Sequence, residues 1–264
     1  MCGSTRKFEP SVRYGIAIAS TTNSKPQGGR GLRSIGGADS AVDRVTAEVR
    51  RAVLTGALAP GESFSISDLS AQLGVSHIPV REALRQLHSQ GLIVMRPGRS
   101  AMVSPLNRSE LQSIYRLRQL IEPELAARSV QAFTEQALTV MDELLAVYGE
   151  EDGDADQFWA SHHELHVELI RPAASEWDMR VLEQLWHASD RYTRVVFDAQ
   201  VMSPTEREER VKRHRGLLAA ARSGSPDELR RAVQAHLSEN EAACLARISA
   251  LTESDQDLSD APGR

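Results

Sequence analysis

Imidazole offers the most versatile chemistry in this sequence, and four of its eight histidines fall where they can act together. In FWASHHELHVELI, Phe158, His162, Leu165, His166 and Leu169 share one helical face, the face a bundle would bury. His163 points about 100° away, toward solvent. In REERVKRHRGLLAAA, Val211, His214, Leu218 and Ala221 form a stripe with Arg and Glu on the other sides, and near the end Leu229, Val233, His236 and Asn240 form another. A single inward histidine is more often a hydrogen-bonded core residue than a ligand. Four on three helices open a second reading, because His162 and His166 at i, i+4 can chelate one ion and His214 and His236 can close its shell from facing helices. Such an ion keeps its positive charge on neutral imidazoles and can take a small carboxylate in an open position. Arg118 fits the same chemistry. It sits in the apolar row Ile114, Arg118, Ile121, Leu125, where a charge needs a partner, either a carboxylate ligand or Glu122 on the same helix.

A second group of polar residues lies in LGVSHIPVREALRQLHSQGLIVMRPGRSAMV, residues 73–103. His77, Arg81 and Arg85 recur at i, i+4 and i+8, while Val80, Leu84 and Leu87 occupy the adjoining stripe. That is the division required of a helix inserted in the major groove of DNA. Arg81 can fork onto a guanine or hold a phosphate; a good base pairing discriminates by roughly 1–3 kcal/mol. Arg96 and Arg99 flank the turn RPGR and suit backbone phosphates. Ser67 and Ser76, near the starts of the two neighbouring helices, complete the DNA-facing set.

The elements that must position these groups are legible in the spacing. Val42, Val45, Val49 and Val53 predict a helix over about 40–55, stopped by Gly56. Ser65-Ile-Ser-Asp68 has the form of a capping box opening a short helix that Gly74 ends, and Ser76 is placed to cap a third helix that Gly91 ends. LIVM and SAMV around RPGR read as a two-stranded hairpin. Three helices and a β-wing make a winged helix-turn-helix over 39–105. Past a linker near Ser104-Pro-Leu-Asn107, six helical segments follow, at about 108–131, 134–148, 155–171, 176–200, 204–223 and 226–251. The expected fold is therefore mainly α, a winged helix-turn-helix followed by an all-α antiparallel six-helix bundle over 106–252. Residues 1–38 read as a disordered basic arm and 253–264 as a disordered tail.

Composition narrows the function classes. The chain has 264 residues and a net charge of −5, but residues 1–38 carry +5, 39–105 carry +1 and the remainder −11, so a polyanion would be met by the front half. Cys2 and Cys244 are too few for a disulfide framework and fit a reducing interior. No run of about 18 apolar residues suggests a membrane span, and the expected location is the cytoplasm, at the nucleoid.

The stretch AVLTGALAPGESFSISDLSAQLGVSHIPVREALRQLHSQGLI, with its TGALAPGE turn and VREAL core, resembles the DNA-binding domain of GntR-family bacterial transcription regulators. With the six-helix rear, the chain over about 40–250 is similar to the FadR subfamily, whose FCD domain binds ligand. The resemblance implies DNA contacts from Ser76 and Arg81; many members carry arginine where this chain has His77. It also implies a divalent ion held by an Asp and three His, matched here by His162 in place of the Asp and by His166, His214 and His236. Losing the anionic oxygen shifts the preference toward zinc or nickel. Arg118 matches a first-helix arginine of these organic-acid sensors.

The function expected is a homodimeric, ligand-responsive regulator, a repressor, that binds double-stranded palindromic operator DNA and senses a small organic acid with metal assistance. Two other classes fit parts of the pattern. A metal-dependent enzyme could activate water on the His cluster, although Glu164 and Glu168 sit off the His face and no general base is well placed. A constitutive DNA-binding protein would use the rear helices for dimerisation alone.

Overall fold

The computed structural model describes residues 40–98, 100–149, 155–196 and 203–259, with the side chains of 155, 156, 195, 196 and 251–259 left aside. The arm expected over 1–38, and Arg99 at the wing turn, lie outside the described residues.

Helix α1 (Ala41–Leu54) opens on a capping box in which Ser40 Oγ accepts from Asp43 N at 3.1 Å and the Asp43 carboxylate accepts from Ser40 N. Val45, Val49 and Val53 are buried along its inner stripe. Gly56, at φ 75°, then reverses the chain. A short strand β1 (Ser63–Ser65) leads into α2 (Ile66–Leu73), whose first turn is capped by Ser65 Oγ accepting from Asp68 N at 2.9 Å. Helix α3 (His77–Ser89) buries Val80, Ala83, Leu84 and Leu87. Ser76 stands at its N-cap, yet the expected cap hydrogen bond is missing. The reason is local: the third residue of the helix is Pro79, which has no N–H to donate.

The wing is β2 (Ile93–Met95) and β3 (Ser100–Val103), antiparallel with Ile93 opposite Val103. It is not the two-stranded hairpin expected, because β1 pairs with the other edge of β3 in the order β1-β3-β2. Ser-Phe-Ser is too short to display an alternating pattern, so its strand conformation depends on pairing with a distant segment. Ile93, Ala101 and Val103 join the α1–α3 valines and leucines in one core.

The rear contains the six expected helices: α4 (Arg108–Ser129), α5 (Glu135–Gly149), α6 (Ala155–Ile170), α7 (Glu176–Val196), α8 (Pro204–Arg222) and α9 (Pro226–Ser259). The last runs to Ser259, past the end at 251 that spacing suggested and into the segment expected to be a tail. Helix α4 packs on α6, α7 and α9; α8 lies between α5 and α9; and α1 of the front touches α7. A second core of Leu, Tyr, Trp and Met side chains fills the bundle. No helix among the described residues is long and apolar enough to cross a membrane.

The connection between the wing and α4 is clasped by two adjacent residues of α7. Arg191, 4% exposed, donates from Nη1 to the carbonyls of Ser104 and Pro105, both at 3.0 Å, and from Nη2 to Glu110. The Tyr192 hydroxyl is 2.8 Å from Glu110 Oε2 and accepts from Asn107 N at 3.2 Å. Glu110 is also in the first turn of α4, where Asn107 Oδ1 caps its N–H at 3.0 Å. The linker's backbone groups are thus satisfied by side chains instead of water. Replacing Arg191 by Ala strips the carbonyls of buried Ser104 and exposed Pro105 of their donor and leaves Glu110 without its ion pair, and we expect a loss of about 2 kcal/mol in denaturant unfolding. Limited proteolysis should show faster cleavage within 104–110; a variant as stable and as resistant as the parent would discount the clasp.

Candidate metal centre and nucleic-acid interface

Helix α6 brings His162 and His166 to the bundle interior one turn apart, and α8 and α9 present His214 and His236 opposite them. One ligand atom from each of the four lies within 4.8 Å of every other. The rings pack mainly edge to face, with centroids 4.9 Å apart for His162 and His214 and 4.6 Å for His214 and His236. The four residues expected from spacing are therefore brought together. His163 differs from expectation: it is half-buried, its ring meeting Trp186 of α7 edge-on at 5.1 Å.

Each ring leaves one buried nitrogen without a hydrogen-bond partner: Nε2 of His162, His166 and His214, and Nδ1 of His236. The opposite edges are held in two cases. His214 Nδ1 donates to the Arg210 carbonyl at 2.8 Å, which fixes the tautomer and leaves the Nε2 lone pair facing the cluster. Asn240 Nδ2 lies 3.0 Å from His236 Nε2, so the amide donates there as placed and the neutral ring carries its proton on Nδ1; holding an ion at Nδ1 would require the amide turned over, with its oxygen accepting from Nε2–H. Burial holds all four imidazoles neutral, His214 down to about 3 and the other three well below the usual histidine range, with neighbouring rings and the Arg210 guanidinium adding to the effect. Four neutral nitrogen donors converging in a buried space, with no carboxylate in the group among the described residues, fit a borderline divalent ion such as zinc or nickel.

From sequence, the arginines of α8 are expected on its outer sides, yet Arg207 and Arg210 are buried on the His214 side of the helix. Arg210 Nε donates to Tyr148 Oη at 2.6 Å, and the Arg207 guanidinium stacks over Phe158 at 5.3 Å. Tyr148 in turn stacks on His162, with centroids 5.1 Å apart. The signal that could have found these arginines is their spacing to His214, at i−7 and i−4, the inner stripe continued toward the N-terminus.

Arg118 is buried as its apolar row requires, and the partner is Glu122, with Nε to Oε1 at 2.6 Å. Its Nη1 donates to Ser189 Oγ at 3.1 Å, and Trp186 Nε1 donates to the same Glu122 oxygen at 3.0 Å. Of the two partners that sequence left open, the carboxylate on its own helix is the one found. Arg191 of α7 turns to the linker and away from the cluster.

In the front domain, His77, Arg81 and Arg85 are exposed together on α3, as the i, i+4, i+8 spacing required. Arg81 has no side-chain partner among the described residues. Arg85 is joined to Glu82 at 2.7 Å, and His77 Nδ1 lies 3.2 Å from Ser70 Oγ of α2. Ser67 and Ser76 are exposed at the starts of α2 and α3. Arg96 is exposed on the wing, its Nη2 2.8 Å from the Met102 sulfur.

The buried Arg118–Glu122 pair yields a two-step prediction. Arg118→Met leaves the Glu122 charge buried and should cost about 3–5 kcal/mol in denaturant unfolding. Adding Glu122→Gln should restore most of it; a double variant as unstable as the single one would show that charge pairing is not what Arg118 supplies.

Comparison with known proteins agrees with these two halves. Residues 41–103 match the description "Bacterial regulatory proteins, gntR family", and residues 113–239 match the FCD domain. The chain is 26% identical to the HTH-type transcriptional regulator McbR of Escherichia coli K12 over 75% of its own length and 89% of that protein's. It is 28% identical to the HTH-type transcriptional repressor RspR of the same organism, over 72% of this chain and 83% of the relative. The solved structure of E. coli McbR/YncC superposes with a TM-score of 0.68 at 25% identity, covering 80% of this chain and all (100%) of that one. A GntR-type regulator from Rhodococcus sp. RHA1 shares the fold, with a TM-score of 0.60 at 21% identity over 78% of this chain and 97% of its own. These relatives are transcription regulators and not enzymes. With a gntR-type winged helix in front and an FCD domain behind, the chain belongs to the GntR family of bacterial transcription regulators, in an arrangement consistent with its FadR-type subfamily.

Proposed function

We propose that this regulator senses a small organic acid at a metal ion in its FCD domain and transmits binding to a pair of winged helices on a palindromic operator. The observation that carries the reading is the set of four partnerless imidazole nitrogens, since buried polar atoms are normally satisfied and an ion would satisfy all four at once. His162, His166, His214 and His236 would hold the ion, which when bound supplies a fixed positive charge and an open coordination position. Four neutral ligands leave a dication uncompensated in a buried site beside Arg210, so an anion is the fitting further ligand. Arg118 is the expected second contact for a carboxylate, in competition with Glu122 and Ser189.

Helix α7 is the route by which occupancy would reach DNA. It carries Trp186 against His163 of α6, Arg191 and Tyr192 on the linker, and a contact with α1 of the front domain. Ligand would bias the placement of the two winged helices through this helix, and operator affinity would follow from differential binding to the two placements. RspR is a repressor by name, and repression is the mode proposed here.

A palindromic operator requires a two-fold protein. Leu117 and Leu120 on α4 and Trp177 and Val181 on α7 are large apolar side chains left in solvent, Leu120 and Trp177 at 70% and 71% exposure. Helices α4 and α7 pack against each other, and their outer surfaces are where a second copy would bury this apolar area.

Two measurements test the proposal. Elemental analysis after mild dialysis should find about one zinc or nickel per chain, lost in His214→Ala, and added metal should raise the unfolding temperature; at a hundredfold excess over Kd the gain is about 2.7 kcal/mol. A protein that retains no metal and shows no shift would be left with a purely structural rear domain. Sedimentation should show a dimer that Leu120→Glu with Trp177→Arg converts to monomer, with weaker operator retention by gel shift; an unchanged dimer would place the interface elsewhere.

A further inference from the structure

Two exposed residues at the N-terminal tip of α3, the part of the helix that reaches base edges, have chemistry that the DNA-binding reading leaves unassigned. His77 is oriented by the preceding helix. Ser70 is buried, and its hydroxyl has one proton, given to the Ile66 carbonyl at 2.7 Å, the shorter of its two contacts. Toward His77 Nδ1, at 3.2 Å, the same oxygen is therefore an acceptor. The neutral ring then carries its proton on Nδ1 and presents the Nε2 lone pair on its exposed edge. Beside it, Ile78 is 74% exposed, the most exposed of the large apolar side chains of the described residues, on a helix whose other exposed positions are polar or charged. Neither feature does much for the folded protein: the isoleucine stands mostly in solvent and the lone pair meets no donor among the described residues.

Resting on the DNA-binding reading, we propose that the tip of α3 sets operator specificity through a pair of contacts: His77 Nε2 accepts from the exocyclic amine of an adenine or cytosine, and Ile78 packs on a thymine methyl. In the major groove only those two bases offer an amine, guanine presents acceptors alone, and the thymine methyl is the one apolar group on any base edge. An imidazole acceptor thus selects against guanine, the base an arginine at the same place would favour. Arg81, exposed one turn further along, remains available to a guanine or a phosphate.

The test begins with the full chain and a random duplex library, from which the tightest-binding duplexes are selected. In such a duplex each thymine is replaced singly by deoxyuridine, which deletes only the methyl, and each adenine by purine deoxyriboside, which deletes only the amine; cytosines are replaced by the analogue lacking the 4-amino group. For the unaltered protein, one thymine per half-site should cost about fourfold on replacement, the worth of a methyl group removed from an apolar contact. Ile78→Ala should bind the thymine and uracil duplexes alike. One amine deletion per half-site should weaken the unaltered protein and leave His77→Ala indifferent. Both side chains are exposed, and circular dichroism of each variant checks that the fold is kept. Indifference of the unaltered protein to every methyl and amine deletion, or sensitivity that persists in the variants, overturns the proposal while leaving DNA binding intact. Failure to enrich any duplex overturns both.

Discussion

Four imidazole rings have to share the interior of one helical bundle, and much of the rear domain is arranged around that constraint. A buried ring nitrogen without a partner is costly, and four of them turned toward one another are more so. The surroundings relieve only the outer edges, through the Arg210 carbonyl and the Asn240 amide. Aromatic rings from Tyr148, Phe158 and Trp159 pack on the cluster from α5 and α6, and burial holds the imidazoles neutral. Neutral, buried and converging nitrogens suit a borderline divalent ion, and an apolar core of the same volume would not need Asn240 where it is.

Helix α7 relates this interior to the front domain. Its inner face meets α4 through the Arg118–Glu122 pair, with Ser189 and Trp186 supplying the remaining hydrogen bonds. One turn on, Arg191 and Tyr192 leave the bundle and take hold of the wing-to-α4 linker. The helix touches His-bearing α6 at one point and the linker at another, so a short chain of contacts joins the His cluster's helix to the wing-to-α4 connection.

The winged helix divides its labour in a similar way. Val80, Leu84 and Leu87 fix α3 in the front core, and the exposed side keeps His77, Ile78, Arg81 and Arg85 for a partner outside the chain. Glu82 already holds Arg85, so Arg81 is the cation of this face with no ion pair to break among the described residues. Pro79 denies Ser76 its cap, leaving that hydroxyl exposed beside His77.

The sequence by itself determined the elements and their inward faces. Glycines at positive φ end α1, α2 and α3 where their spacing placed them, and the 3.6-residue period of Phe158, His162, Leu165 and His166, and of Leu229, Val233 and His236, identified which imidazoles turn inward. Periodicity is a property of one helix, so it could say that His214 and His236 face a core and not which neighbours they meet. Only the packing of α6, α8 and α9 decided that the four rings share a space with their ligand atoms within 4.8 Å. The same limit explains the differences. Strand β1 needs β3 to exist, Glu122 as the partner of Arg118 depends on Trp186 and Ser189 from α7, and the burial of Arg207 and Arg210 depends on aromatic side chains from α5 and α6. Local pattern fixes which side of an element is buried; the identity of a long-range partner is set by tertiary contacts that no single segment encodes.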